Sequence, residues 1–523
     1  MNNVQVLDCT LRDGGYCNDW CFGKENIKKI TTNLSNANID IVECGFITNR
    51  ESYNPDKTLF SSVDNVVPFI PDNRKGKLFV CMMNYGDYDV SDLPFCKKTG
   101  IDGIRVAFHK KNYPEAIEVC RAVKEKGYKV FVQPMVSLSY TDEEFLDLIS
   151  KVNELNPYAF YIVDSFGQMK RNELFRLLYI VEHNLKGEIK IGFHSHNNMQ
   201  LAYSNAQCLL DFHMKRDLII DSSVYGMGRG AGNLNTELFV EFLNDNANGN
   251  YDLKPLLEII DDTLNRFYQN SYWGYSLPNY LSAFYGAHPN YARYFDDKNT
   301  LTVQNINDIF EMMDNERKVS YDKEYAEQMY LAYMEAGIAQ EEHSAEFDKN
   351  IAGKTVLIIA PGKSLRETES EIKKKMREDG IISVCVNAEC QFADTDYIFV
   401  SNIRRYRELK KTSEAKCIVT SNISSTEAYL KVKYGNLLND VDAVRDNAGL
   451  MVINLLIQHK AKKILLAGFD GYSYDEKENY ANNQATFIMR DTVIDTMNAG
   501  MRKMLKEYGK MIDIEFITPS LYE

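Results

Sequence analysis

Eight short apolar runs separated by longer amphipathic stretches dominate the first half of this chain. They are VQVLDCT from Val4, IDIVECGF from Ile39, KLFVCMM from Lys77, GIRVAF from Gly103, KVFVQPM from Lys129, AFYIVDSF from Ala159, IKIGFHSH from Ile189 and LIIDSSVYG from Leu218. Between them, stretches such as residues 114–126, 142–155 and 199–211 repeat apolar positions three and four apart, the period of a helix packed on one face. Strand and helix in strict alternation specify parallel βαβ units, not an antiparallel sandwich. Eight such units close naturally into a (β/α)₈ barrel, with an open doubly wound sheet as the alternative.

At 523 residues the chain exceeds what one hydrophobic core organises, so more than one domain is expected. The barrel reading covers residues 1–249. Residues 250–349 read as a helical accessory region rich in Tyr, Leu and Met, and the polar stretch near residue 350 marks a boundary. Residues 350–523 begin with KTVLIIAPGKSL and carry further strand candidates in IISVCVN, TDYIFVSN, KCIVTSN, KILLAGFDG and DIEFITP. These predict a separate Rossmann-like α/β domain with an open sheet.

A net charge of −14 argues against nucleic acid and anionic membranes as partners and towards small molecules. No apolar run reaches the roughly 20 residues that span a bilayer, and charged Asp8, Arg12 and Asp13 stand where a signal peptide would be apolar, so a cytoplasmic location is expected. The eleven cysteines form no paired zinc-site spacing, and several lie within apolar runs as small hydrophobes.

In a βα barrel, reactive groups gather at the C-terminal ends of the strands. The first run leads into Arg12 and Asp13, the second ends in Glu43, and the seventh ends in HSHN with His194 and His196. Alternate residues of a strand share a face, so the two histidines point together. With Asp13 they make a nitrogen and oxygen set suited to a divalent ion with positions left for water and substrate. An isolated His-x-His also describes a hydrogen-bonded strand end, so the trio carries the argument. Arg105, Gln133 and Ser165, towards the ends of runs four to six, are candidate substrate contacts. The four glycines of GMGRGAGNLNTE allow close backbone approach to a ligand, or simply a tight turn.

LDCTLRDGG, VECGF, GFHSHNN and this glycine loop together resemble the DRE-TIM metallolyases across residues 1–240. That family includes 4-hydroxy-2-oxoacid aldolases, 3-hydroxy-3-methylglutaryl-CoA lyase, and the isopropylmalate and homocitrate synthases. The resemblance implies Asp13, His194 and His196 as ligands of Mn²⁺ or Mg²⁺, with Zn²⁺ and Co²⁺ as further candidates, and Asn233 approaching the metal. It assigns Arg12 to the enolate oxygen and Ser165, within DSFG, to the family's DSxG. Glu43 would orient Arg12, or form a plain buried ion pair with it. The WGYSLPNYLSAFYGAHPNY segment extends the likeness to the helical part of 4-hydroxy-2-oxovalerate aldolases. One departure stands out: where those aldolases carry a histidine base three residues after the metal aspartate, this chain has Tyr16. Tyr16, Tyr275, Tyr280 and His288 are the candidate replacements, although a tyrosine-rich helical region also simply packs.

The implied activity is a metal-dependent aldolase or lyase that makes or breaks a carbon-carbon bond of a 2-oxo acid through pyruvate enolate chemistry, with an aldehyde as second substrate. A homo-oligomer fits this reading. A Claisen-type synthase using an acyl-CoA is one alternative, and a scaffold barrel serving a glycan-pathway transferase is another. The last segment resembles a Rossmann-like group containing archaeal-type 6-hydroxymethylpterin diphosphokinases and bacterial sialyltransferase-like proteins. This implies a nucleotide or sugar nucleotide near Gly362, Ser364, Asn387 and Asp470.

Overall fold

The structure is a computed structural model that describes residues 3–212, 214–298, 300–337, 344–409, 414–424, 427–475, 479–481 and 491–523. The chain divides into two compact units, Met1–Tyr294 with Asp314–Tyr321, and Phe295–Met313 with Asp322–Glu523. The helical residues between the barrel and the second sheet are therefore shared between the units.

In the first unit the eight apolar runs become β1 (Val4–Asp8), β2 (Ile41–Ile47), β3 (Leu78–Asn84), β4 (Gly103–Phe108), β5 (Lys129–Pro134), β6 (Ala159–Asp164), β7 (Lys190–Ser195) and β8 (Leu218–Ser222). All pair in parallel, each with its neighbour in sequence. β8 pairs back onto β1, with Val4 opposite Leu218, and closes the barrel. A two-residue strand, Leu59–Phe60, adds to β2 outside the ring.

Near-continuous burial along these strands explains why their sequences are apolar on both faces. Outward residues such as Val42, Ile104, Val132 and Ile162 pack on the helices. Inward residues Leu7, Ile41, Val80, Phe131, Ala159, Tyr161 and Ile219 fill the barrel itself. The helix Asp142–Leu155 shows how local sequence starts an element. Thr141 accepts the N–H of Glu144, whose carboxylate accepts the N–H of Thr141 in return, and Phe145, Leu148, Ile149 and Val152 form its buried face.

The second unit holds a seven-stranded parallel sheet: β9 (Thr355–Ile359), β10 (Ile381–Val386), β11 (Tyr397–Val400), β12 (Lys416–Thr420), β13 (Leu430–Val432), β14 (Lys463–Ala467) and β15 (Asp513–Phe516). The order is β13-β12-β11-β10-β9-β14-β15. β13, three residues long, is too short to announce itself in the sequence. The chain runs outward from β9 to β13 and then returns to the other side of β9, so strand order reverses between β9 and β14.

Candidate metal centre

Asp13 ends a single helical turn, Thr10–Asp13, that follows β1 directly. This turn is held from three sides. Asp8 accepts the Thr10 N–H, the Thr10 hydroxyl accepts the Val224 N–H, and the Trp20 indole donates to the Arg12 carbonyl at 2.8 Å. His194 lies near the end of β7 and His196 just beyond it, where it forms an antiparallel bridge with Asn233 of the glycine loop. One ligand atom from each of Asp13, His194 and His196 can be chosen so that all three lie within 4.8 Å of one another, and all three residues are buried.

The surrounding charges support this trio. His194 Nδ1 lies 3.0 Å from Asp221 Oδ2, an acceptor that holds the ring proton on Nδ1 and turns Nε2 to the role of metal-ligating atom. Burial lowers the His196 imidazole to about 3, with Asp13 opposing, so this ring is neutral. Burial alone would raise the Asp13 carboxyl, but Arg12, His196 and His194 hold it below the usual carboxylate range. Asn233 Nδ2 donates to Asp13 Oδ2 at 2.5 Å. His196 Nδ1 and Asn233 Oδ1 are buried with no hydrogen-bond partner, and neighbouring Arg12 Nη2 is a buried donor in the same position. Unpaired buried polar atoms are costly and rare, so acceptor atoms converging beside a carboxylate fit a bound cation.

A chain of ion pairs crosses the barrel beside the trio. Arg12 Nε donates to Glu43 Oε2 at 2.9 Å, and Arg105 Nη1 lies 2.8 Å from the same oxygen. Arg105 Nη2 then reaches Asp221, which also accepts the Tyr161 hydroxyl at 3.1 Å. Arg105 has no solvent exposure and is engaged by two carboxylates, Glu43 and Asp221. Gln133 can offer its amide oxygen 3.0 Å from Arg105 Nη2. The Ser165 hydroxyl accepts the N–H of Val136, a residue in the left-handed region at φ 52°.

Among the candidate bases, Tyr16 packs edge-on to Trp20 at 4.7 Å and beneath the Arg229 guanidinium at 5.1 Å. His288 is within 3.3 Å of Arg229. Tyr275 is exposed, and the ring contact of Tyr280 is with Phe284; no contact among the described residues joins either tyrosine to the trio. Asp221 went unremarked in the sequence, although an acid inside the apolar run LIIDSS was its available signal. Asn198, the last residue of GFHSHNN, was given no role in the sequence; it accepts the Ala231 N–H and donates to the Phe166 carbonyl, and so anchors the glycine loop.

Residues 3–262 match the family described as HMGL-like. The barrel is an HMGL-like domain. It belongs to the lyase and aldolase class that the motifs resemble. The chain is similar to the 4-hydroxy-2-oxovalerate aldolase of Pseudoalteromonas translucida, 25% identical over 262 residues, covering 50% of this chain and 75% of that protein. The corresponding protein of Carboxydothermus hydrogenoformans is 27% identical over 248 residues, 46% of this chain and 70% of its own. Among solved structures, the N-terminal domain of a putative aldolase from Bacteroides vulgatus is 27% identical with a TM-score of 0.48, covering 56% of this chain and 96% of that one. HMG-CoA lyase from Brucella melitensis is 16% identical with a TM-score of 0.41, covering 51% and 98%.

In the second unit, the loops after β9 and β14 meet. The Gly362 N–H donates to the Gly468 carbonyl, and Ser364 donates through both its N–H and its hydroxyl to Asp470. A methyl built on Gly362 would lie 2.2 Å from the Gly468 oxygen. Asn387, after β10, is in the left-handed region at φ 55° and accepts the Ser401 N–H.

Proposed function

We propose that the HMGL-like barrel is a divalent-metal-dependent aldolase acting on 4-hydroxy-2-oxo acids, with Asp13, His194 and His196 as protein ligands and Asn233 beside them. The observation that carries this reading is the convergence of that trio with the unpaired Arg12 Nη2. A divalent cation held by the trio would polarise the 2-oxo group and favour the enolate. Arg12, fixed by Glu43, donates to the oxygen that becomes negative as the C3–C4 bond breaks. The bonding electrons pass to that oxygen, the 4-hydroxyl loses its proton, and an aldehyde departs. Tyr16, packed against Trp20 and beneath Arg229 of the glycine loop, relays that proton from the 4-hydroxyl to C3 of the enolate in this reading, which yields pyruvate, and aldol formation is the same path reversed. Arg105 and Asp221 hold Glu43 and His194 in register. Mn²⁺ and Mg²⁺ suit the mixed oxygen and nitrogen set.

The test is metal-dependent exchange of the pyruvate methyl protons in deuterium oxide, followed by NMR with Mn²⁺ or Mg²⁺ and then with chelator. Exchange that needs both metal and Arg12 supports the reading, and its absence with every divalent metal overturns it.

For the second unit we propose a nucleotide or sugar-nucleotide site in the crevice at the β9/β14 reversal, where open parallel sheets bind ligands. The close meeting of Gly362 with Gly468, beside Ser364 and Asp470, supports that position. Calorimetric titration with nucleoside diphosphates and their sugar conjugates, repeated with Gly362→Val, tests it. No binding by the unaltered chain would overturn it.

A further inference from the structure

His288 begins the helix Pro289–Asp296, and its Nδ1 accepts the N–H of Asn290 at 3.2 Å. A side chain that caps a helix in this way has its acceptor nitrogen committed. Burial, reinforced by Arg229 and His109, keeps the imidazole neutral. A neutral ring with Nδ1 as acceptor must carry its single proton on Nε2. Yet Nε2 lies 3.3 Å from Arg229 Nη1, which is also a donor. A neutral ring can accept at only one of these nitrogens, so one of its two N–H neighbours, Asn290 or Arg229, goes unanswered; with the helix cap kept, it is Arg229 Nη1 that faces an N–H. Arg229 Nε is buried with no hydrogen-bond partner either, and no carboxylate among the described residues forms an ion pair with this guanidinium.

The donor pair belongs to the active mouth of the barrel. Arg229 follows Gly228, and a methyl built on Gly228 would lie 2.7 Å from Asp13 Oδ2 and 2.1 Å from Asn233 Nδ2. The Arg229 guanidinium covers the Tyr16 ring, and the Cys17 thiol donates to the Gly228 carbonyl. Phe166, from the loop after β6, meets the His288 ring edge-on at 6.1 Å.

We infer that Arg229 Nη1 and His288 Nε2 form an anion-binding fork that recognises a carboxylate or phosphate on the aldehyde half of the substrate. This rests on the aldolase reading above and narrows it. The acceptor aldehyde is itself anionic, and the aldol product carries a second negative group besides its 2-oxo acid. An acceptor-side anion placed between the two donors satisfies both at once and neutralises the guanidinium. A neutral aliphatic aldehyde would leave them opposed.

The experiment compares pyruvate aldol addition to glyoxylate and to glycolaldehyde phosphate with addition to acetaldehyde and to glycolaldehyde, using the full chain with Mn²⁺. The expected result is a kcat/KM at least about tenfold higher for one anionic aldehyde than for its neutral counterpart, and which one distinguishes carboxylate from phosphate. Arg229→Met should bring that ratio close to one, and Arg229→Lys should retain part of it. His288→Asn, which keeps a cap acceptor but shortens the reach of the second donor, should lower the ratio too. Pyruvate exchange and neutral turnover with no anionic preference would overturn the fork while leaving the aldolase reading standing. So would an Arg229→Met variant that loses anionic and neutral acceptors equally, or that only raises the KM for pyruvate. Failure of metal-dependent pyruvate exchange would instead remove the aldolase reading, and the fork with it.

Discussion

Asp221 Oδ2 accepts the Nδ1–H of His194 at 3.0 Å while the same oxygen meets the buried guanidinium of Arg105. One carboxylate thus sets the tautomer of a candidate metal ligand and closes a chain of charges that reaches Arg12 through Glu43. Burial by itself would raise the Asp221 carboxyl, but Arg105 and His194 hold it below its ordinary value, so it stays an acceptor.

Asp221→Asn should therefore weaken Mn²⁺ binding by about 10–100-fold, because the amide no longer demands the Nδ1–H tautomer of His194. It also leaves Arg105 with less charge compensation, so the unfolding midpoint should fall. Calorimetric metal titration beside a denaturant melt separates the two effects. Unchanged metal affinity would show that Asp221 serves only the core.

Gly228→Ala should disturb the site without replacing any of the candidate ligands. The added methyl would lie 2.1 Å from Asn233 Nδ2 and 2.7 Å from Asp13 Oδ2, a distance no Cβ tolerates. Movement of the Asn233 amide should lower metal affinity by about tenfold or more, in the range seen when groups supporting a ligand are displaced. A variant that binds metal like the parent would mean the loop shifts freely.

Tyr16→Phe keeps the ring between Trp20 and Arg229 and removes only the hydroxyl. If that hydroxyl carries the proton, retro-aldol turnover should fall by about 100-fold or more while metal binding persists. A loss below threefold would assign the proton to another group.

His288 gives a pH signature of its own. Burial, then Arg229 and His109, lower its imidazole to about 2, against about 6.5 in an unfolded chain. The unfolded chain therefore takes up this proton first as pH falls. The associated stability is full above pH 6.5 and is lost through the window from 6.5 down to about 2, at about 1.4 kcal/mol per unit. Between pH 7.5 and 5 that amounts to about 2 kcal/mol, which His288→Asn should not lose. Asp164, raised to about 7 by burial against the N–H groups of Met169 and Gln168, acts in the opposite sense over much of this range. The readout is thus the difference between variant and parent in denaturant melts at the two pH values. A difference independent of pH would refute the assignment.

The amino-acid sequence by itself determined the barrel. Strand burial on both faces and helix burial on one are local patterns, and eight alternations of a short continuous apolar run with a stretch of period 3.6 leave few topologies open. It also pointed to the candidate metal trio, because His194 and His196 are forced to one face by strand geometry and Asp13 stands in a recognisable run. Tertiary structure decided what each remaining polar residue is for. Arg105, Gln133 and Ser165 could all be named as strand-end candidates. Only folding brought Asp221 from the last strand and Glu43 from the second onto the Arg105 guanidinium, and Ser165 onto the backbone of Val136. The same holds for Arg229 and His288, 59 residues apart, whose opposed donors no local pattern encodes. Burial makes hydrogen-bond satisfaction a question of which groups converge in space, and a linear pattern records only neighbours along the chain.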